Sequence, residues 1–266
     1  MSRNDNLYIV GFAAAVCVVC SVFVSGSAVA LKDRQVKNAI LDRQKNVISV
    51  SGLVDDMDSV SNAQIETLFN EKITPKLIDL KTGEVVEAGT TVSCPSGEIA
   101  LDPKVYDQQK AKGDPCLGED AEDNPAKILR VPKYGLVYEV VESGTTQAII
   151  LPVEGKGLWS TMYGFIALEN DAETVKGLTF YQHGETPGLG GEIDNTKWKA
   201  LWPGKKVYDG DEVALNVVKG TARDTNYEVD GLSGATLTSR GVTYLVEYWL
   251  GEQGFGQYLD TYRKGA

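Results

Sequence analysis

Two apolar runs separated by a tight turn decide the fold of this chain: GLVYEVV at residues 135–141 and AIILPV at residues 148–153, with Ser143-Gly144 between them. β-Branched and aromatic residues dominate both runs, and a short turn that contains glycine is typical of a β-hairpin. Two further runs of this kind follow at similar spacing, at 163–168 and 175–182. The pattern predicts an antiparallel meander.

Segments with helical spacing lie on both sides of this meander. Before it, the sequence predicts a helix at 62–69, capped by Ser61 or Asn62, and a hairpin formed by 77–80 and 85–86. After it, a strand at 214–218 precedes an amphipathic helix at 237–250, which Gly251 ends. The fold class is therefore α+β, with a twisted antiparallel sheet and flanking helices.

The amino-terminal segment is apolar without interruption. Residues 7–31 carry no charge, and a bilayer core of about 30 Å needs about 20 residues of helix. A cleaved signal peptide is the alternative, because Ala28-Val29-Ala30 matches a cleavage signature, but the apolar stretch is longer than a signal peptide needs. The sequence favours a single transmembrane helix at 7–31, preceded by a short segment at 1–6 and followed by a helical stalk at 32–50.

The charges around this helix predict its orientation. Lys32, Arg34 and Lys37 follow the apolar stretch, whereas only Arg3 precedes it. Basic residues concentrate on the cytoplasmic side of a membrane helix. Charge alone therefore predicts a cytoplasmic location for the remaining domain, residues 51–266.

Composition excludes two broad classes of function. Among 266 residues, Asp and Glu number 37 and Lys and Arg number 26, so the net charge of −11 would repel a nucleic acid backbone. The single histidine, His183, and the four cysteines are too few and too scattered for a metal centre within the chain, and we predict none. Cys17 and Cys20 lie inside the apolar helix, where we expect them to act as packing residues.

Small residues lead directly into the helix predicted at 237–250. In the stretch DGLSGAT at residues 230–236, backbone N–H groups and the positive helix end converge at Ser233, Gly234, Ala235 and Thr236, an arrangement that can hold a phosphate. Ser or Thr after Gly is also a common helix cap. The heptapeptide resembles the flavinylation motif of membrane-linked FMN-binding domains, in which the final hydroxyl, here that of Thr236, is esterified to the FMN phosphate.

A second glycine-rich stretch, QHGETPGLGGE at residues 182–192, leaves the end of a predicted strand. Its glycines allow the backbone to approach a flat ligand closely, although such a loop is more often a tight turn. Together with GLWS at 157–160 and LSGATLTS at 232–239, it resembles the NqrC subunits of bacterial sodium-translocating NADH:quinone reductases. The related RnfG subunits of Rnf complexes share the anchor and the flavin motif but less of these flanks.

The resemblance implies an electron-transfer subunit that carries covalent FMN on one transmembrane helix of the bacterial inner membrane. In the family this subunit belongs to a six-subunit complex, a flavin transferase attaches the FMN, and NADH and ubiquinone bind other subunits. The family's FMN domain is periplasmic, which overrules the orientation predicted from charge and implies that segment 1–6 is cytoplasmic. The subunit is then an electron carrier within a Na⁺-transporting NADH:quinone reductase and needs no catalytic acid or base of its own.

The resemblance also assigns residues to the cofactor. Trp159, Glu185, Thr186 and Leu189 are implied neighbours of the isoalloxazine ring, and Glu185 would tune the flavin potential. Lys219 is implied near the phosphate or the ribityl chain. Without the resemblance, Trp159 is as readily an ordinary core residue at the start of a strand.

Three other functions compete with this assignment. Thr236 could be a hydrolytic nucleophile, but His183 is the only imidazole that could serve as its base. The chain could also be an Rnf-type electron-transfer subunit with covalent FMN. Finally, it could be a non-enzymatic, membrane-anchored binding module in which Ser233 to Thr236 form only a helix cap.

Residues 89–125 form a stretch rich in Gly, Pro, Asp and Lys without periodicity, which predicts a surface insertion. This stretch matches no pattern of the family. It holds Cys94 and Cys116, the only cysteines outside the apolar helix. In an oxidising compartment the two would pair as a disulfide, and the alternative is two free surface thiols.

Overall fold

The computed structural model describes residues 3–54, 56–95 and 97–265 in two compact units, one up to Gln44 and one from Lys45 onward. Helix α1, Arg3–Ser51, contains the described residues of the first unit and the beginning of the second unit. It is long and apolar enough to cross a membrane. Residues 1 and 2 of the predicted segment 1–6 lie outside the described residues.

The second unit begins inside the last turns of α1. Val47, Ile48 and Val50 are buried, whereas the apolar residues between 8 and 40 are exposed. The compact unit starts at Lys45, before the domain start predicted at residue 51. The predicted stalk at 32–50 therefore includes residues that belong to the folded domain.

The centre of the domain is a six-stranded antiparallel sheet. Its strands are β1 (Ile73–Asp79), β2 (Val85–Val86), β7 (Tyr134–Glu142), β8 (Thr145–Lys156), β9 (Thr161–Glu169) and β10 (Val175–Gln182). They lie side by side in the order β10-β9-β8-β7-β1-β2. Leu77 pairs with Leu136, and Leu151 pairs with Ile166. The predicted meander and the α+β fold class are confirmed.

Helix α2, Asn62–Lys72, precedes the first strand. Ser61 caps it: the Ser61 Oγ accepts a hydrogen bond from the Gln64 N–H, and the Gln64 Oε1 accepts one from the Ser61 N–H. Such a reciprocal capping box satisfies two backbone donors that the helix leaves unpaired. The structure thus confirms the predicted helix and identifies Ser61, rather than Asn62, as its cap.

Helix α5, Thr236–Leu250, packs against the sheet. Val242, Leu245 and Trp249 are fully buried, and the Trp249 indole N–H donates to the Glu154 carbonyl at 2.7 Å. A Cβ on Gly241 would lie 2.4 Å from the Lys156 carbonyl, so only glycine allows the helix to lie this close to β8. Burial of such side chains contributes about 1.5–3 kcal/mol each, which fixes α5 and its first residue, Thr236, on the sheet.

The stretch at 89–125, predicted as a surface insertion, contains short regular elements although its sequence shows no periodicity. They are β3 (Thr91–Cys94), β4 (Gly97–Ala100), α3 (Gln108–Gly113) and β5 (Gly118–Asp120), which pairs with β6 (Arg130–Pro132). The Lys112 ammonium contacts the buried Glu154 carboxylate at 2.7 Å and thereby attaches α3 to the sheet. Elements of three to six residues are too short to show a periodicity.

Among the remaining elements, one predicted strand is shorter than expected and one helix was not predicted. The strand predicted at 214–218 is reduced to β13 (Asn216–Val217), which pairs in parallel with β14 (Glu228–Val229). Helix α6, Gly256–Gly265, follows α5 and was not predicted. Helix α4 (Thr196–Lys199) and the hairpin of β11 (Tyr208–Asp209) and β12 (Glu212–Val213) are short connecting elements.

Candidate functional site

Three segments meet where α5 begins, and one buried carboxylate joins them. Glu185, on the loop after β10, accepts hydrogen bonds from the Leu158 N–H at 3.2 Å and the Trp159 N–H at 2.9 Å. It also accepts a 2.5 Å bond from the Thr238 hydroxyl in the first turn of α5. Glu185 therefore joins the loop after β8, the loop after β10 and the start of the helix.

These hydrogen bonds determine the ionisation of Glu185. Burial alone would raise the pKa of the carboxyl group. The Thr238 hydroxyl and the N–H groups of Trp159, Leu158 and Ser160 stabilise the charged form, and together they hold the pKa below its ordinary value. Glu185 is thus a charged, buried acceptor at neutral pH.

Glycines on two segments leave room for this carboxylate. A Cβ on Gly157 would lie 2.5 Å from the Glu185 Oε1, and a Cβ on Gly190 would lie 2.8 Å from the Glu185 Oε2 and 2.5 Å from the Thr238 Oγ1. A larger residue at either position would displace Glu185. Glycine is therefore required at both positions for the same reason, the space taken by the Glu185 carboxylate, although the two residues lie in separate loops.

His183 stabilises the loop after β10. Its Nδ1 accepts a hydrogen bond from the Glu185 N–H at 3.2 Å, and its Nε2 lies 2.8 Å from the Asp194 Oδ2. The adjacent Gly184 N–H donates to the Ser160 Oγ at 2.6 Å. The described bonds of both imidazole nitrogens thus lie within this loop, and neither bond involves Thr236.

Thr236 is the exposed first residue of α5. The residue before it, Ala235, provides no side-chain hydrogen bond to the first turn. Gly234 has a φ of +71°, a conformation that glycine adopts without strain, and this turn directs the chain into the helix. The N–H groups of the first turn of α5 therefore have no side-chain cap, as an anion site at a helix start requires.

A cavity of about 210 Å³ opens beside Thr236. Helix α5 contributes Thr236, Ser239, Arg240 and Thr243 to its lining. The opposite wall is the segment of β13 and the residues that follow it, including Lys219. Within the described residues, neither Lys219 nor Arg240 forms an ion pair. The cavity therefore has two unneutralised cations and the Thr236 hydroxyl on its walls.

Exposed apolar side chains occupy the loops and the helix start on the other side of the site. They are Leu158, Trp159, Leu189 and Leu237, and Trp159 is 65% exposed. A Cβ on Gly234 would lie 3.0 Å from the Leu189 Cδ2, so Leu189 packs against the turn before Thr236. Exposed apolar side chains on these segments are suited to cover a flat aromatic ligand.

The structure brings most of the predicted site residues together. Trp159, Glu185 and Leu189 are linked to the start of α5 by the contacts above. Thr186 lies in the same loop, where its carbonyl accepts bonds from the Leu189 and Gly191 N–H groups. Ser233, Gly234 and Ala235 form the turn, and Lys219 lies on the cavity side. Glu185 differs from the other predicted ring neighbours because it is buried.

The sequence analysis missed two residues that the structure places at this site. Thr238 binds Glu185, and Arg240 lines the cavity. The spacing of Arg240 from Thr236, four residues on one predicted helix, places both on one face and was a usable signal. No signal identified Thr238, because its partner lies 53 residues away in the sequence.

Comparison with known proteins shows what this chain is similar to. The family of FMN-binding domains matches residues 157–251, which include the β8 loop, the β10 loop and α5. The NqrC subunit of the Na⁺-translocating NADH-quinone reductase of Pseudomonas aeruginosa is 45% identical over 95% of this chain and 94% of its own length. The corresponding subunit of Vibrio anguillarum is 42% identical over 100% of this chain and 98% of its own length.

Solved structures of the same subunit from other bacteria are similar to this chain in fold. NqrC of Shewanella oneidensis has a TM-score of 0.73 and 30% identity, and the match covers 85% of this chain and 97% of that chain. The corresponding subunit of Parabacteroides distasonis has a TM-score of 0.65 and 27% identity over 86% of this chain and 96% of that chain.

The fold and the site define an FMN-binding domain of an electron-transfer protein, attached to an apolar helix. More specifically, the chain belongs to the NqrC family of subunits of the Na⁺-translocating NADH-quinone reductase. The resemblance stated from the sequence motifs is thus confirmed, in preference to the Rnf-type alternative. The chain is a membrane-anchored subunit of a multi-subunit oxidoreductase.

Proposed function

We propose that this subunit carries FMN covalently, through a phosphoester to Thr236. The observation that carries the proposal is the position of this hydroxyl: exposed, at the start of α5, and on the wall of a cavity that also presents Lys219 and Arg240. Two cations and an uncapped helix start provide the donors that a phosphate group needs. The residues present therefore fit the phosphate end of FMN.

The apolar side of the site fits the ring end. Trp159 and Leu189 offer flat and aliphatic surfaces that can cover an aromatic ring, and the exposed Thr186 hydroxyl can donate to a polar ring atom. When bound, FMN supplies the redox chemistry. The chain supplies position, because Glu185 fixes both ring-side loops against the helix that carries Thr236.

Ester formation requires an activated donor, because an alcohol and a phosphate monoester do not condense favourably in water. We propose that the donor is a flavin dinucleotide, which a flavin transferase binds and presents to Thr236. The Thr236 hydroxyl loses its proton to solvent, its oxygen forms a bond to the flavin-side phosphorus, and the pyrophosphate bond breaks. A nucleoside monophosphate leaves, so atoms and charge balance without any change in oxidation state.

We further propose that the domain is periplasmic and that the subunit acts within a six-subunit complex of the bacterial inner membrane. The disulfide between Cys94 and Cys116 supports an oxidising compartment. In this arrangement NADH and ubiquinone bind other subunits and the complex transports sodium. A tether at Thr236 then prevents loss of FMN to a compartment that does not supply it.

The attachment can be tested on the full chain, coexpressed with a flavin transferase and exported. The wild-type protein should give a fluorescent band under ultraviolet light after denaturation, and Thr236→Ala should give none. Thr236→Ser should retain fluorescence, because either hydroxyl can form the ester. Thr225→Ala, which removes an exposed threonine hydroxyl outside the motif and the cavity lining, is the matched control and should stay fluorescent.

Two outcomes would contradict the proposal. A fluorescent denatured band from Thr236→Ala would place the linkage elsewhere, and a colourless wild-type band would exclude covalent attachment. The wild-type chain expressed without the transferase, or retained in the cytoplasm, should also be colourless.

A further inference from the structure

We infer that Arg240 is a phosphate-binding residue of this subunit and that it forms, with Lys219, a two-sided cationic clamp on the FMN phosphate. The inference rests on the proposed function, which assigns the phosphate to Thr236. It adds a residue to the site and gives the site a selectivity: flavins that carry a phosphate bind in preference to flavins that lack one.

The helix geometry directs Arg240 toward the attachment residue. Thr236 and Arg240 are four residues apart on α5, so they lie on the same face of the helix, one turn from each other. Side chains on a helix lean toward its amino terminus. The long Arg240 side chain therefore extends over the turn that contains Thr236, and both residues line the same cavity.

The opposite wall of the cavity carries the second cation. Thr243, one turn beyond Ser239 on α5, accepts a 2.9 Å hydrogen bond through its Oγ1 from the Val217 N–H. This bond attaches β13 to the helix two residues before Lys219. The two cations thus come from two segments that are held together, with the cavity between them.

Two carboxylates of the adjoining loop are engaged by backbone donors. The Asp230 Oδ1 accepts a hydrogen bond from the Ala222 N–H at 2.8 Å. The Glu228 Oε2 accepts bonds from the Arg223 and Asp224 N–H groups at 2.7 and 3.1 Å. Both carboxylates therefore stabilise their own loop. In a chain of net charge −11, a cavity whose two cations form no ion pair with any described residue is a local site for an anion.

A guanidinium group matches a phosphate better than an ammonium does, because its planar N–H groups can donate to two oxygens at once. Arg240 would therefore hold the phosphate oxygens that the bond to Thr236 leaves free. Riboflavin offers the same ring and ribityl chain but no phosphate. The clamp predicts that substitution of Arg240 weakens the binding of FMN and leaves the binding of riboflavin unchanged.

The test uses the full chain in detergent micelles with the substitution Thr236→Ala, which removes the covalent bond, and measures FMN and riboflavin binding by flavin fluorescence. Adding Arg240→Gln should weaken FMN binding about fivefold, the upper range for a solvent-exposed ion pair, and leave riboflavin binding unchanged. Arg240→Lys should recover part of the loss. Arg223→Gln removes a nearby arginine outside the cavity lining and should change neither ligand.

A second measurement uses the covalently loaded chain, so that the result does not depend on free FMN binding. The ³¹P resonance of the attached phosphate should shift in Arg240→Gln and stay in place in Arg223→Gln. The inference is overturned if the resonance does not move, or if Arg240→Gln weakens FMN and riboflavin equally. Failure of the covalent proposal is separate: it appears as a colourless denatured wild-type band and leaves the FMN-against-riboflavin comparison intact.

Discussion

The Thr238 hydroxyl donates a 2.5 Å hydrogen bond to the Glu185 carboxylate, and both residues are buried. Thr238 lies two residues after Thr236 on α5, and Glu185 lies in the loop that also carries Thr186 and Leu189. This bond connects the proposed attachment point of the phosphate to the proposed ring contacts. The two ends of the flavin site are thus held by one polar contact inside the protein.

Removal of the Glu185 charge should destabilise the fold at neutral pH. Glu185→Gln leaves one acceptor oxygen where the carboxylate had two, so some of the N–H and hydroxyl donors lose their partner. We expect a loss of about 1–3 kcal/mol in the free energy of unfolding, measured by chemical denaturation of the full chain in detergent. Glu192→Gln, in the same loop, should change it little, because the described hydrogen bond of the Glu192 carboxylate is a local one to Asn195.

The pH dependence of this difference has a defined sign. The pKa of Glu185 in the folded state lies below its ordinary value of 4.5. Its contribution to stability is therefore fully present above pH 4.5 and is lost as the pH falls through the lower folded pKa. The wild-type and Glu185→Gln stabilities should converge in acid, and a constant difference down to the acid range would show that the charge is not the cause.

The two glycines beside Glu185 should not tolerate alanine. Gly157→Ala and Gly190→Ala would each place a Cβ within 2.8 Å of a Glu185 carboxylate oxygen. We expect each to lower the free energy of unfolding by about 1–3 kcal/mol, as overpacking does. Gly113→Ala is the control, because its Cβ would meet nothing within 4 Å. Wild-type stability in both site variants would mean that the carboxylate has room to move.

The sequence predicted the sheet and α5 because their apolar patterns are long. The short insertion elements, and α6 with its mostly polar composition, gave no comparable signal. The site likewise contains residues that the sequence motifs pointed to and contacts that the sequence could not predict. The motif resemblance implied roles for Thr236 and Leu189, which stay predictions. The burial of Glu185 depends on donors from residues 158–160 and from Thr238, which a linear sequence does not place together.

The disulfide should contribute to stability through the unfolded state. Cys94 and Cys116 are 22 residues apart in the sequence, and closing a loop of this length contributes about 3 kcal/mol in the chain-entropy model. Replacing both by serine should lower the unfolding free energy of the exported chain by up to this amount. Alkylation of unreduced, denatured protein should leave both cysteines unmodified, and modification of both would refute the bond.

Glu185→Gln should also raise the midpoint potential of the attached FMN. A negative charge near the flavin disfavours its reduced, anionic forms, and removal of the charge should raise the potential by roughly tens of millivolts after screening by solvent. Redox titration of the loaded chain measures the shift, with Glu192→Gln as the control for a carboxylate of the same loop. Identical midpoints in wild type and Glu185→Gln would show that Glu185 acts on the loops alone.

Substitution of Trp159 can distinguish a functional role of this side chain from a structural one. Its side chain is 65% exposed, so Trp159→Ala should change the free energy of unfolding by no more than about 0.5 kcal/mol. If the indole covers the flavin ring, the same variant should alter the flavin absorption spectrum and slow quinone reduction by the assembled complex. The denatured band should remain fluorescent, because the attachment residue is intact. Val105→Ala, which changes another exposed apolar residue in the insertion, should affect none of these measurements. An unchanged spectrum in Trp159→Ala would remove Trp159 from the ring contacts and leave Leu189 as their apolar part.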